Sequence, residues 1–378
     1  MLPPLTPADE KLLLRFADPE SAAVDDNLSA KALSALLDNA EFHGILPIML
    51  RKLRERGDVR LPDDPALQLK LSGLRDQATI ATGQSMLLQY HGDRIMKGMA
   101  AEGIPARIVK GPVFARKLYR NVSDRPFTDI DILVEPANLA RANRVIAACG
   151  FELGSDEAES YRLQEFKWLE KENSSLLVEL HGDLVHDTGM RRRLSLGFRE
   201  LGIIDGETAD TPAALLTIAI VHAAGGHKFH RLQLCVDVLQ GVRALQSSQS
   251  ETRLLDAARM TGIELELAIV LNVTGELFGE HRALELAGRI KPDLSIRLAK
   301  RLITTNTLLR VNSREKIGSR LRRDAFRWIQ RLAKARAIPG ESVKRFSVWK
   351  LPRGFSSTQP AYPGSAPPRR PGACRLPG

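Results

Sequence analysis

The sequence predicts an α+β protein in which a small mixed β-sheet, within residues 96–187, is flanked by helical regions on both sides. Apolar residues recur at helical spacing in residues 1–95 and 188–338, whereas the stretch between them alternates apolar and polar residues as strands do. Hydrophobic residues make up 43% of the 378 residues and charged residues 26%, which excludes a wholly disordered chain.

The N-terminal region, residues 1–95, is predicted to be helical throughout. Leu33, Leu36 and Leu37 fall on one helical face, and similar apolar stripes follow them along the chain. The last of these stripes stops at Gly103, and glycine is the residue that most often follows the end of a helix. The period of the apolar pattern changes after this point.

Residues 96–187 are predicted to form a β-α-β-α-β-β unit. A short strand at residues 106–109 precedes a helix that begins at Pro112, and the alternating run FTDIDILVE forms the next strand. An amphipathic helix covers residues 135–149. The segment YRLQEFKWLEKENSSLLVELHG then predicts two strands joined by a turn around residues 172–174. We expect the chemistry of the protein in this unit.

The C-terminal part of the chain differs from the rest in charge. From Lys300 onward there are 19 Lys and Arg against 3 Asp and Glu, whereas the remainder has 36 against 42. An amphipathic helix with a basic face is predicted near residues 314–336, and nucleic acid, a membrane surface or an acidic face of the same protein would all suit it. We favour packing within the protein, which would bury the apolar side chains of Phe326, Trp328, Ile329 and Leu332. The Pro- and Gly-rich basic tail, residues 339–378, is predicted to be disordered.

Several classes of protein are excluded by the composition. The three cysteines, Cys149, Cys235 and Cys374, are too few for a four-cysteine zinc site and too scattered for a disulfide framework. The most apolar window, residues 213–224, is too short to span a bilayer. The N-terminus lacks the pattern of a secretory signal. These features predict a cytoplasmic protein.

Two carboxylates stand one residue apart on the predicted strand FTDIDILVE. Because side chains alternate across a strand, Asp129 and Asp131 face one side, about 7 Å apart along the chain, while Ile130 faces the core. Adjacent anions are costly unless a cation lies between them, and oxygen ligands favour Mg²⁺ or Mn²⁺. In SSLLVELHG the same alternation places Glu179 and His181 on one face, which makes Glu179 the third carboxylate of a two-metal phosphoryl-transfer site.

The pair Asp129 and Asp131 has two other interpretations. The carboxylates could be solvated at the end of a strand, and a D-x-D pattern also occurs in metal-dependent glycosyltransferases. The residues upstream favour a nucleotide site. Lys110-Gly111-Pro112 lies between a strand and a helix, where a glycine and a helix N-terminus can approach phosphate closely. Basic residues, including Arg125, separate this turn from the acidic strand.

This order of residues resembles the nucleotidyltransferase fold of the DNA polymerase β superfamily. The stretches VKGPVFARKLY, SDRPFTDIDILVEP and LLVELHGDL closely resemble the bacterial family of uncharacterised nucleotidyltransferases, in which K-G, R-x-x-x-D-h-D-h-L-V and h-[DE]-h-H recur in this order. The resemblance covers roughly residues 30–330. It implies metal binding by Asp129, Asp131 and Glu179, and phosphate contacts from Lys110, Gly111 and Arg125. Other members of the superfamily have Gly-Ser at the turn, where this sequence has Lys-Gly-Pro.

The resemblance extends to the second helical region. The family pattern H-x4-H followed by an aspartate matches His222, His227 and Asp237. His222 and Asp237, together with His181 on the face of Glu179, are candidates to bind the acceptor substrate. The alternative is packing or helix capping for His222, and a hydrogen bond or pair within the protein, for example with a histidine, for Asp237.

The sequence therefore favours a metal-dependent nucleotidyltransferase. It would move a nucleoside monophosphate from an NTP, with ATP as the expected nucleotide, to an acceptor hydroxyl with Mg²⁺ or Mn²⁺ as cofactor. A kinase-like phosphotransferase using the same site is the first alternative. A non-catalytic module that binds nucleotide or, through the basic C-terminal region, nucleic acid is the second. The acceptor cannot be named from the sequence.

Overall fold

The computed structural model describes residues 2–22, 28–55, 61–191, 194–205, 210–309 and 316–336, all within one compact unit, Met1–Ala337. The strands are β1 (Ala106–Ile108), β2 (Asp129–Val134), β3 (Phe151–Leu153), β4 (Glu165–Glu170) and β5 (Leu177–His181). The helices are α1 (Pro7–Ala17), α2 (Ala30–Phe42), α3 (Leu46–Glu55), α4 (Pro65–Ala101), α5 (Pro112–Lys117), α6 (Leu139–Ala148), α7 (Glu157–Leu163), α8 (Phe198–Asp205), α9 (Pro212–Val221), α10 (Leu232–Ala244), α11 (Ser248–Thr261), α12 (Glu264–Phe278), α13 (His281–Gly288), α14 (Leu294–Leu302), α15 (Thr305–Leu309) and α16 (Lys316–Arg336).

The five strands form one mixed sheet in the order β1-β2-β5-β4-β3. The central pair, β2 and β5, is parallel, and the other neighbouring strands are antiparallel. Helices precede and follow this sheet in the chain, which confirms the predicted α+β class with a small mixed sheet between helical regions. The predicted boundaries at residues 95, 187 and 338 stay predictions, and α4 continues past the first of them.

One face of the sheet is apolar and packs against α4 and α6. Ile130, Ile132 and Val134 of β2 lie on this face, with Val178 and Leu180 of β5, and all are buried in one cluster. This alternation is the one that the sequence predicts. It leaves the intervening side chains of both strands on the opposite face, where the polar residues of interest lie.

Two short elements differ from the predicted β-α-β-α-β-β order. The strand β3 follows α6 directly and pairs with β4 at the sheet edge; at three residues it is too short to show alternation. The predicted first strand of the hairpin begins at Glu165 and not at Tyr161, because α7 occupies Glu157–Leu163. Asp156 caps that helix by accepting a hydrogen bond from the backbone N–H of Glu159 at 2.8 Å, a local bond that favours a helix start.

A second, larger core joins α1–α4 to the helices that follow the sheet, and α9 belongs to it. Every residue of α9 after Pro212 is buried, so the most apolar stretch of the sequence forms part of this core. In the part of the chain that the structure describes, no helix is both long and apolar enough to cross a membrane. The predicted Pro- and Gly-rich tail, residues 339–378, lies outside the described residues.

The basic helix α16 packs on the rest of the protein, as the sequence analysis favours. Phe326 is fully buried, and Ile329 contacts the same core. The Lys334 ammonium lies 2.9 Å from the Glu266 carboxylate. The prediction that Trp328 and Leu332 are also buried is wrong, because both face outward, with 63% and 53% of their surface exposed. Among the side chains of α16 that the structure describes, those that reach the core lie on one side of the helix.

Candidate functional site

The register between β2 and β5 brings the acidic residues together. Asp131 pairs with Glu179 across these parallel strands, and Leu133 pairs with His181. Side chains at paired positions lie on the same face of a sheet. Asp131 and Glu179 are both buried and stand on the face opposite the apolar cluster. Two strands that are far apart in sequence thus place their carboxylates side by side.

Two cationic side chains reach the Asp131 carboxylate from different directions. Lys110, in the turn after β1, places its ammonium 2.7 Å from Asp131 Oδ1. The Nε2 atom of His181 lies 3.0 Å from the same oxygen and 3.5 Å from Glu179 Oε2. Lys167 of β4 completes the set, with its ammonium 3.3 Å from Glu179 Oε1.

These contacts divide the charge unequally between the two aspartates. Burial favours the neutral acid at both, but Lys110 and His181 hold the pKa of Asp131 well below its usual range. Burial and then the charge of Asp131 raise the pKa of Asp129 from 3.8 to about 6. Burial opposes a charge on His181, yet its bonds to Asp131 and Glu179 raise its pKa to about 9. The charge of Asp129 is therefore less neutralised by nearby cations than that of Asp131.

The turn that carries Lys110 requires a glycine at the next position. Gly111 has φ 48° and ψ −108°, a conformation that L side chains rarely adopt. A Cβ atom there would lie 3.3 Å from the carbonyl oxygen of Asp129 and 3.3 Å from the Phe127 ring. The turn thus lies directly against the start of β2, where Ser85 of α4 bonds both the N–H and the C=O of Phe127 at 3.0 Å.

Arg125 and Asp237, two predicted site residues, bind each other. The Arg125 Nε and Nη2 atoms donate to the two Asp237 oxygens at 2.8 and 3.0 Å, and Tyr119 donates its hydroxyl to the same carboxylate at 2.6 Å. All three side chains are buried. Two N–H groups of Arg125 are used by this pair and a third donates to the Pro126 carbonyl at 2.9 Å, so the partners that the structure gives Arg125 lie within the protein. Both predicted roles stay predictions.

His222 begins a five-residue π-helical turn that ends at Gly226, a local geometry that is frequent at functional sites. Its ring contacts that of His227, with centroids 4.5 Å apart, and His227 contacts His230. Burial, reinforced by Lys110, holds the pKa of His222 well below its usual value. His222 is therefore a neutral imidazole near the carboxylates, and its predicted substrate contact stays a prediction.

The donors of this face suit a divalent cation. Among the described residues, Asp131, Glu179 and His181 offer three ligand atoms within 4.8 Å of one another. Asp129 lies outside this group, but its raised pKa records the excess negative charge that a bound cation would relieve. The residues present therefore fit the metal that the resemblance implies.

Comparison with protein families now identifies the chain. A model of the family described as "Uncharacterised nucleotidyltransferase" matches residues 29–279, about two thirds of the sequence. The chain belongs to this family. The match includes the whole sheet, the turn at Lys110 and the helices α9 and α10. No curated protein and no solved structure matches the chain. Membership of the uncharacterised nucleotidyltransferases indicates a transferase that takes a nucleotide as substrate.

Two further residues beside this group, Glu165 and His186, are not among the site residues predicted from the sequence. Glu165 stands opposite His181 in the pairing of β4 with β5, and its Oε2 atom lies 2.7 Å from His186 Nδ1. That hydrogen bond outweighs burial and lowers the pKa of Glu165 to about 2. The sequence does contain a signal for Glu165, because a hairpin whose turn is centred on Asn173 places Glu165 opposite His181.

Proposed function

We propose that the protein transfers a nucleoside monophosphate from an NTP to an acceptor hydroxyl and uses the face around Asp131 and Glu179 as its active site. The observation that carries the proposal is the pairing of these two buried carboxylates on adjacent parallel strands, with Lys110 on the same oxygen of Asp131. Family membership supports the nucleotidyl part of the proposal. The acceptor is not specified.

Asp129, Asp131 and Glu179 are the groups we propose to hold the divalent cation, with Mg²⁺ as the ion. Their oxygens match the preference of Mg²⁺ for hard ligands. The bound ion would lower the pKa of the acceptor hydroxyl and neutralise charge on the phosphates.

Lys110 and Gly111 are the proposed phosphate contacts. Lys110 carries a charge that neighbouring carboxylates maintain, since Asp131 raises its pKa against the opposing effect of burial. Gly111 brings the backbone within reach of the start of β2, as its close approach to the Asp129 carbonyl shows. A triphosphate, with ATP as the proposed nucleotide, would therefore lie between the turn and the acidic strand. The relationship to the DNA polymerase β superfamily is consistent with this arrangement and remains part of the proposal.

The products of the reaction distinguish the proposal from its alternatives. Purified protein is incubated with Mg²⁺, ATP and a cell extract as the source of acceptor, and the products are separated. Nucleotidyl transfer releases pyrophosphate, whereas a kinase-like transfer releases ADP. Binding of ATP with neither product would indicate a non-catalytic module.

Two variants link the products to the proposed site. Asp131→Asn should lower pyrophosphate release at least a hundredfold, because the carboxylate shared by Lys110 and His181 is lost. Asp256→Asn, which changes an exposed aspartate of α11, serves as the matched control and should leave the rate unchanged. Equal rates in both variants would mean that the activity arises elsewhere.

A further inference from the structure

A second group of potential metal ligands lies beside the proposed active site. Glu165 of β4, His181 at the end of β5 and His186 in the segment after β5 each offer one ligand atom, and these atoms lie within 4.8 Å of one another. Neither Glu165 nor His186 has a part in the nucleotidyl transfer proposed above. The cluster therefore needs an explanation of its own.

The two nitrogens of His181 have different surroundings. Nε2 faces Asp131, on the strand to one side of β5, at 3.0 Å. Nδ1 is buried and has no hydrogen-bond partner among the described residues. Glu165 stands on β4, the strand to the other side of β5, directly opposite His181. A buried ring nitrogen without a partner is costly, so a ligand at Nδ1 would remove that cost.

His186 closes the group and leaves it accessible. Its ring meets that of His181 edge to face, with the centroids 5.6 Å apart and the planes at 86°. Its side chain is 32% exposed, whereas that of Glu165 is 15% exposed and that of His181 is fully buried. An ion could therefore enter from the side of His186 and reach a site with a buried floor.

The types of donor indicate the class of metal. Two imidazoles and one carboxylate are the protein ligands of many catalytic zinc sites, whereas Mg²⁺ prefers oxygen ligands alone. The hydrogen bond between His181 Nε2 and Asp131 is the one expected of a metal-bound histidine, because such a histidine almost always donates its other N–H to a carboxylate or carbonyl. Once Nδ1 has lost its proton, this bond would keep the remaining proton on Nε2 and leave the Nδ1 lone pair for the ion.

We propose that Glu165, His181 and His186 form a binding site for a divalent transition-metal ion of the zinc class, separate from the carboxylates Asp131 and Glu179. Binding would displace the hydrogen bond between Glu165 and His186 and release a proton from His181 Nδ1 to solvent. The ion would adjoin the nucleotide site through His181, which contacts both groups. The proposal does not depend on nucleotidyl transfer, since the site needs no nucleotide to form.

Calorimetric titration with Zn²⁺ alone tests this proposal. Full-length protein without an affinity tag is stripped with a chelator, dialysed and titrated without nucleotide. Wild type should bind one Zn²⁺ that survives a hundredfold excess of Mg²⁺. His186→Ala and Glu165→Gln should each weaken Zn²⁺ binding at least tenfold. The second variant keeps the shape of the side chain and guards against loss of folding in the first, which circular dichroism checks.

Two control variants locate the ion. His281→Ala removes an exposed histidine at the start of α13 and should leave Zn²⁺ affinity unchanged. Glu179→Gln should change it less than threefold. A loss in Glu179→Gln but not in His186→Ala would place the ion at the carboxylate group and overturn the proposal, as would the absence of saturable Zn²⁺ binding in wild type. Both tests are independent of whether the protein releases pyrophosphate.

Discussion

At the scale of single residues, the site is organised by unequal neutralisation of three carboxylates. Asp131 has Lys110 at 2.7 Å and His181 at 3.0 Å, and Glu179 has Lys167 at 3.3 Å. Asp129 makes no ion pair within the described part of the chain. The negative charges nearby therefore destabilise the ionised Asp129 carboxylate, and this destabilisation can be measured as a change in the free energy of unfolding.

The first prediction is that Asp129→Asn stabilises the metal-free protein at neutral pH. The pKa of Asp129 is about 6 in the fold against 3.8 for a free side chain. Ionisation of Asp129 therefore lowers the free energy of unfolding as pH rises from 3.8 to 6, and the whole of this loss is present above pH 6. Removing the charge should raise the free energy of unfolding by about 1–3 kcal/mol at pH 7.5. The gain should vanish near pH 4. Urea melts in a chelator at both pH values measure it.

Addition of Mg²⁺-ATP, with Mg²⁺ in excess of the chelator, should reverse the order of stability. A ligand that binds only the native state raises the free energy of unfolding, and Asp129→Asn should lose most of this gain. If the variant is less stable than wild type without metal, or gains as much from Mg²⁺-ATP, Asp129 does not belong to the cation site.

The second prediction concerns Lys110. Lys110→Gln should weaken Mg²⁺-ATP binding by about 1–3 kcal/mol, the scale of a charge-assisted hydrogen bond. Lys117→Gln is the matched control, because this lysine of α5 pairs with Asp210 at the surface and is 53% exposed. Calorimetry on both variants gives the affinities. Similar losses for the two lysines would indicate a general effect of charge and not a contact at the turn.

At the scale of elements, the close approach of the Lys110 turn to β2 positions the site. The turn contacts β2 through Gly111, and α4 holds the start of β2 through Ser85. The pair Arg125 and Asp237 links the loop before β2 to α10. The acidic strand is thus fixed by three separate elements.

The third prediction compares two glycines with positive φ. Gly103→Ala meets nothing within 4 Å and should cost only the backbone penalty of about 1–2 kcal/mol. Gly111→Ala adds a Cβ atom 3.3 Å from the Asp129 carbonyl and should cost about 1–3 kcal/mol more. Thermal melts report both. Equal destabilisation would show that the turn has room and that its approach to β2 is not tight.

The fourth prediction uses the two sides of α16. Phe326 is fully buried and its ring lies 5.6 Å from that of Phe229, so Phe326→Ala should lower the free energy of unfolding by about 3–5 kcal/mol. Trp328→Ala, two residues along and 63% exposed, should change it by less than about 0.5 kcal/mol. A larger effect at Trp328 would mean that the exposed side of α16 is the one that packs.

At the scale of the whole molecule, the parts predictable from the sequence are those that depend on local alternation. The burial of Ile130 and Ile132 and the opposite placement of Asp131 follow from a period of two, as does that of Glu179. The partnership of Arg125 with Asp237 does not, because it joins residues 112 positions apart through the packing of α10. No local pattern encodes such a contact.

Dependence on tertiary packing also explains the other differences between the predicted and the observed structure. β3 has three residues and depends on β4 for its hydrogen bonds, so its existence is decided by the sheet. The outward direction of Trp328 depends on which side of α16 meets the core. Glu165 was predictable only in part. The predicted turn implies its position opposite His181, but its partner His186 lies beyond the hairpin.

We propose that the protein transfers the nucleoside monophosphate of an NTP, which contains the α-phosphate. The most direct measurement uses two samples of ATP, one labelled at the α-phosphate and one at the γ-phosphate, each incubated with Mg²⁺, purified protein and cell extract. We expect a product that carries the α label and lacks the γ label, and no such product with Asp131→Asn. A product labelled only from the γ-phosphate, or a labelled product that persists in Asp131→Asn, would contradict it.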